Sequence, residues 1–142
     1  MARNKLTHFV IDTNLWISFL ISNRQSKLDS ILLSSRFRLL FSTELLEEIN
    51  NTINKPKLRK YFGAHALEEM LIHFEPYIDL IEVKSKAKAC RDPKDNFLLA
   101  LSKDGKADYL LTGDQDLLEL KQYGKTKILT ISRFIEEAKE LL

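Results

Sequence analysis

The chain has 142 residues, of which 44% are hydrophobic and 30% charged, and its formal net charge is +2. That length fits one domain able to bury its own core, and the composition excludes a disordered chain. The longest apolar stretches, such as Leu15 to Ile21, are too short and too interrupted to cross a bilayer, and the single cysteine, Cys90, excludes an internal disulfide or a thiolate metal cluster.

The first residues, MARNKLTHFVID, carry basic side chains but no apolar h-region followed by a small-residue cleavage site. No signal peptide is expected, and a cytoplasmic location is. HFVID then reads as a strand, LWISFLI and LDSILLSS as helices, and RLLFS as a second strand. A helix from Glu44 to about Asn54 ends at KPK, because a residue before proline avoids the helical region. AHALEEMLIHF follows as an amphipathic helix closed by Pro76, and IDLIEV as a strand. Beyond the basic run KSKAKACR come a buried helix NFLLALSK, a strand DYLLT, a short helix DLLEL, a strand KILTI and a last helix RFIEEAKELL.

Strands alternating with helices predict a mainly parallel sheet covered on both faces, a three-layer α/β/α sandwich. No repeat or Pro/Gly/Ser-rich linker divides the chain, so one domain over residues 1–142 is expected. In such sheets ligands bind beyond the carboxyl ends of the strands, where the strand order reverses. Asp12, Ser42, and Thr112 with Asp114 follow three of the expected strands.

Each acid has a structural reading beside a functional one. Asp12, in FVIDTNLW, suits a helix cap, but Thr13 and Asn14 can serve there too, which leaves Asp12 available for chemistry. Glu48 lies nearest the margin of the apolar stripe set by Leu45, Leu46, Ile49 and Ile53, and periodicity alone favours an ordinary solvated glutamate. In CRDPKDNFLLALS, Asp92 suits the N-cap, Pro93 the first helical position and Asp95 a capping-box acid, so Asp95 reads equally as cap and as ligand. After DYLLT, Gly113 is expected to permit a sharp turn, Asp116 to cap the DLLEL helix, and Asp114 to be the acid with less structural work. Gathered at one sheet edge these acids would repel unless a cation intervened, and oxygen ligands without His or Cys suit Mg²⁺ or Mn²⁺ better than zinc. The histidines His8, His65 and His73 are scattered without ligand spacing.

DTN after the first strand, STELLEEI ahead of KPKL, RDPKDN, and ADYLLTGDQDLL together resemble the PIN-domain ribonucleases, in particular the PIN-family toxins of toxin–antitoxin pairs. The match runs from about His8 to Phe134. The resemblance implies a Rossmann-like sandwich and RNA phosphodiester hydrolysis with Mg²⁺ or Mn²⁺. It assigns the metal to Asp12, Glu48, Asp95 and Asp114, with Asp116 as an auxiliary acid, and supporting roles to Asn14 and Thr112. It further implies an RNA substrate, a cognate antitoxin protein, and pairing of the chain with itself.

Setting aside Asp12, Glu48, Asp95 and Asp114 leaves 22 basic against 16 acidic residues, a balance of +6 able to hold a phosphate backbone. KPKLRKY and KSKAKACR are the candidate patches, with Tyr61 and Phe62 as candidate stacking residues. Two rivals are weaker. Haloacid-dehalogenase-like phosphatases need a second Asp where Asn14 stands, and response-regulator receivers need an acidic pair before the first strand's aspartate. An RNA-processing nuclease outside a toxin–antitoxin pair, and a non-catalytic binding module on the same fold, remain as alternatives.

Overall fold

The computed structural model describes residues 6–22 and 36–141. Its strands are β1 (Thr7–Ile11), β2 (Phe37–Phe41), β3 (Ile78–Leu80), β4 (Tyr109–Leu111), β5 (Gln122–Tyr123) and β6 (Thr126–Leu129). They form one six-stranded sheet in the order β3-β2-β1-β4-β6-β5. Each pairing is parallel except that of β5 with β6. Among the described residues the α-helices are α1 (Thr13–Ser22), α2 (Thr43–Ile53), α3 (Ala66–Phe74), α4 (Pro93–Asp104), α5 (Gln115–Leu120) and α6 (Ile131–Leu141). The helix expected over LDSILLSS lies outside the described residues.

Neighbouring residues of β2 separate the two helical layers, because successive side chains of a strand point to opposite faces. Phe41 packs on Trp16 of α1, with ring centroids 5.3 Å apart. Leu40, one residue earlier, faces the end of α4, where a Cβ built on Gly105 would lie 2.6 Å from Leu40 Cδ1. Gly105 is therefore the residue that lets the chain leave α4 hard against the sheet. Phe9, on the Phe41 side by register, meets Phe134 of α6 edge-on at 5.1 Å and stacks on Tyr109 at 5.6 Å. The result is helix, sheet, helix, and the largest fully buried side chains, including Trp16, Phe9, Phe41, Leu45, Leu99 and Leu101, come from both layers and the sheet between.

Two details depart from the sequence reading. The strand expected over IDLIEV pairs with β2 only from Ile78 to Leu80. The short strand β5 was not anticipated; it returns antiparallel to β6 through a turn in which Gly124 has φ +59°, a conformation that glycine adopts without strain.

The topology sets the site. From β1 the chain moves to β2 and β3 on one side, and from β4 it moves to β6 on the other. The order therefore reverses between the adjacent strands β1 and β4. Asp12 directly follows β1, and Thr112 to Asp114 follow β4.

Candidate active site

Asp95, Asp114 and Asp116 converge at this reversal. Each offers a carboxylate oxygen, and the three lie within 4.8 Å of one another. Asp95 arrives on the first turn of α4, whose N-cap is Asp92, accepting from the Lys94 N–H at 2.9 Å, with Pro93 at the first helical position. The capping-box reach expected of Asp95 is not made: the residue is 6% exposed and its carboxylate has no hydrogen-bond or ion-pair partner among the described residues. Burial, followed by the negative charges of Asp114, Asp92, Asp12 and Asp116, pushes the Asp95 carboxyl up to about 6.

Asp12 is also buried, and both of its oxygens are engaged. Oδ1 accepts from the Asn14 N–H at 3.1 Å, and Oδ2 accepts from the Thr112 hydroxyl at 2.6 Å. Its carbonyl accepts from the N–H groups of Leu15 and Trp16, so of the three candidates Asp12, Thr13 and Asn14 it is Asp12 that occupies the cap of α1. Cap and site residue are here one side chain. Thr112, fully buried, uses the same oxygen to accept from the Asp114 N–H at 3.0 Å. Thr112 thus joins the acid after β1 to the acid after β4.

Asp114, and not Asp116, is the N-cap of α5. Its Oδ1 accepts from the N–H groups of Asp116 at 2.9 Å and Leu117 at 3.3 Å. The D-x-D spacing allows either acid to cap, and the chain enters the helix two residues earlier than expected. Gly113 also differs from expectation. Its φ is not in the left-handed region and a Cβ there would meet nothing within 4 Å, so the turn does not depend on glycine. Asp116, released from capping, meets Nη2 of the exposed Arg91 at 3.2 and 3.3 Å.

Glu48 projects from α2 at the border of its buried stripe, with Glu44 and Glu47 further into solvent. It stands outside the close group of three acids, as Asp12 does. Lys94 on α4 reaches Glu48 Oε1 at 3.8 Å, which holds the glutamate toward the first turn that carries Asp95. Asn14 is exposed and joins the site through its backbone N–H. Ser42 caps α2 by accepting from the Leu45 N–H at 3.1 Å, which accounts for its burial without a role at the acids.

Sequence reasoning placed Arg91 only in the basic patch KSKAKACR and passed over Lys94. Both stand inside the quoted motif RDPKDN, so their nearness to the acids was visible; their pairing with Asp116 and Glu48 needed the fold. The neighbouring Cys90 thiol is pushed up by burial and then by the charges of Asp95, Asp116, Asp114 and Asp92, so it lies within the field of the cluster. A separate cavity of about 300 Å³, lined by residues that include Asn50, Arg59, Phe62 and His65, does not reach the acids. Tyr61 beside it is 54% exposed, with Lys60 Nζ 5.2 Å from its ring centre.

A family model described as PIN domain matches residues 8–116, which span β1 to the second residue of α5 and include every acid of the site. The chain belongs to the PIN-domain family. Members of this family are generally metal-dependent nucleases. Two solved structures share the PIN-domain fold with the chain. The crystal structure of PAE2754 from Pyrobaculum aerophilum superposes with a TM-score of 0.59 at 15% identity, covering 94% of this chain and 90% of that one. The PIN domain of human SMG5 superposes with a TM-score of 0.50 at 14% identity, covering 92% and 97%. No curated protein sequence matches the chain.

The donor set fits a hard divalent cation. Three carboxylates meet without a histidine or cysteine among them, and the burial and mutual repulsion that raise Asp95 are the strain a dication would relieve.

Proposed function

We propose that this PIN domain is an endoribonuclease that hydrolyses RNA phosphodiester bonds with Mg²⁺ or Mn²⁺, and that it is the toxin of a toxin–antitoxin pair. The observation that carries the nuclease reading is the meeting of Asp95, Asp114 and Asp116 beside Asp12 at the strand-order reversal. Asp95, Asp114 and Asp116 would hold the cation, with Asp12 and Glu48 completing the acidic ring. When bound, the cation supplies Lewis-acid activation of water and offsets charge on the scissile phosphate.

The protein's own part is to orient these acids before substrate arrives. Thr112 fixes one oxygen of Asp12, and the cap bonds of α5 fix one oxygen of Asp114, leaving Asp114 Oδ2 for a ligand. Asp95, buried and without a hydrogen-bond donor among the described residues, keeps both carboxylate oxygens open toward the cation. Arg91 and Lys94 limit the repulsion at the rim.

The toxin role rests on the motif resemblance, with a cognate antitoxin and a second copy of the chain as proposed partners and the cytoplasm as proposed location. Among the described residues no helix is long and apolar enough to cross a membrane. The test is incubation of single-stranded RNA with the purified protein in Mg²⁺, in Mn²⁺ and in EDTA, beside Asp12→Asn and Asp114→Asn. Cleavage should need the cation and fail in both variants. Equal cleavage by all three proteins would refute the assignment. Growth arrest on induced expression of the wild type, absent with Asp114→Asn, would support the toxin role.

A further inference from the structure

Between β3 and α4 the chain has no regular secondary structure, yet it is ordered on a strict period. Glu82, Lys84, Lys86 and Lys88 are exposed, while Ile81, Val83, Ser85 and Ala87 are half-buried. A period of two is that of an extended backbone laid flat on a surface. Ile81, Val83, Ala87 and Cys90 pack on the core.

Hydrogen bonds to α4 fix its direction. Asp104, in the last turn of that helix, accepts from the N–H groups of Lys84 at 2.6 Å and Ser85 at 2.8 Å, and from the Ser85 hydroxyl. These bonds hold the Asp104 carboxyl below the usual carboxylate range, so the tie persists at neutral pH. Asn96, in the first turn, accepts from the Cys90 N–H at 2.8 Å and donates to its carbonyl at 2.7 Å. The segment therefore runs antiparallel to α4, from its far end to the end that carries Asp95.

Lys84, Lys86 and Lys88 point outward from this strip, about 6.6 Å apart at the 3.3 Å rise of an extended chain. That spacing is close to the separation of successive phosphates in an extended single strand. None of the three has an ion-pair partner among the described residues, whereas Arg38, Arg91, Lys94 and Lys125 do. Beyond Lys88 the chain reaches Arg91, which touches Asp116.

We propose that Lys84, Lys86 and Lys88 form a ladder for the sugar–phosphate backbone of single-stranded RNA, leading it past Arg91 to the acid cluster. The choice of RNA as the polyanion rests on the nuclease reading; the ladder itself rests on the geometry of the strip. Because folding has already ordered the backbone that carries the lysines, binding restrains only their side chains. Glu82, next on the same exposed face, ends the ladder by repulsion.

The test is anisotropy of a labelled single-stranded RNA in EDTA, across a salt series, so that binding is read without cleavage. The combined Lys84→Ala, Lys86→Ala and Lys88→Ala variant should bind at least about 10-fold more weakly, with a salt slope reduced by about 2, since each phosphate contact on a single strand contributes about 0.7. The combined Lys125→Ala, Lys127→Ala and Arg133→Ala variant changes net charge equally at exposed positions elsewhere and should lose much less. Glu82→Lys should tighten binding and steepen the slope. An unchanged slope, an equal loss in the two triple variants, or an equal effect on duplex RNA would overturn the ladder. Cleavage by the wild type in Mn²⁺, measured separately, tests the nuclease reading, and its absence leaves the slope comparison to decide the ladder.

Discussion

Thr112 donates its hydroxyl to Asp12 Oδ2 at 2.6 Å, in a buried bond between residues 100 positions apart in sequence. The same hydroxyl oxygen accepts from the Asp114 N–H, so one small side chain ties two strand ends and two acids. Thr112→Val keeps the shape and removes both bonds. It should cost about 2–3 kcal/mol of stability, because one buried and one half-buried polar group lose a partner. Cleavage should fall about 10–100-fold, the usual scale for groups that orient ligands, and Thr112→Ser should restore both. Denaturant titration beside RNA cleavage checks this; wild-type behaviour of Thr112→Val would show that the link has no part in the site.

Asp114 combines cap and acid, and two substitutions separate these roles. Asparagine caps a helix as well as aspartate, whereas alanine loses about 1 kcal/mol. Asp114→Asn should therefore abolish cleavage without lowering the melting temperature, and Asp114→Ala should lower both. If Asp114→Asn proved as unstable as Asp114→Ala, the negative charge itself would be supporting the fold.

The raised Asp95 carboxyl makes stability depend on pH in the absence of metal. Its ordinary value is 3.8 and its value in the fold about 6, so the fold binds the proton more tightly than the unfolded chain does. The associated stability is fully present below 3.8 and is lost as pH rises through about 6. In EDTA the melting temperature should fall between pH 5 and 7, beyond the trend of Asp95→Asn, which should be the more stable protein at pH 7 by about 1–3 kcal/mol. A parallel pH dependence in the two proteins would contradict the raised carboxyl.

Much of this arrangement is legible from residues close in sequence. The strands with an acid or hydroxyl at their carboxyl ends are local patterns, and so is the alternation that makes the sheet parallel. What was not legible depends on contacts across the chain. Two residues of β5 give no readable period, and the extended strip after Ile81, whose N–H still bonds the Phe41 carbonyl, alternates like a strand but bonds to Asp104 and Asn96 instead of a sheet neighbour. Asp114 against Asp116 as cap is a two-residue ambiguity that D-x-D cannot resolve alone. The left-handed residues among those described include Lys106 and Lys121, which nothing in their composition announces.

Cys90 offers a readout that needs no substrate. Burial and the surrounding acids hold its thiol up, so thiolate is scarce and alkylation at pH 8 should be slow. Neutralising the acids lowers that pKa, so Mg²⁺, Mn²⁺ or Asp95→Asn should each speed alkylation several-fold. A rate indifferent to all three would place the thiol outside the influence of the cluster.

The most direct measurement is Mn²⁺ binding at pH 7, followed by the loss of the free-ion magnetic resonance signal, in the wild type and in folded Asp95→Asn and Asp114→Asn. The converging acids predict saturable binding by the wild type and affinities at least about 10-fold weaker in each variant, the scale of a lost charged ligand. Equal binding by all three proteins, or none by the wild type, would contradict a metal centre at the meeting of β1 and β4.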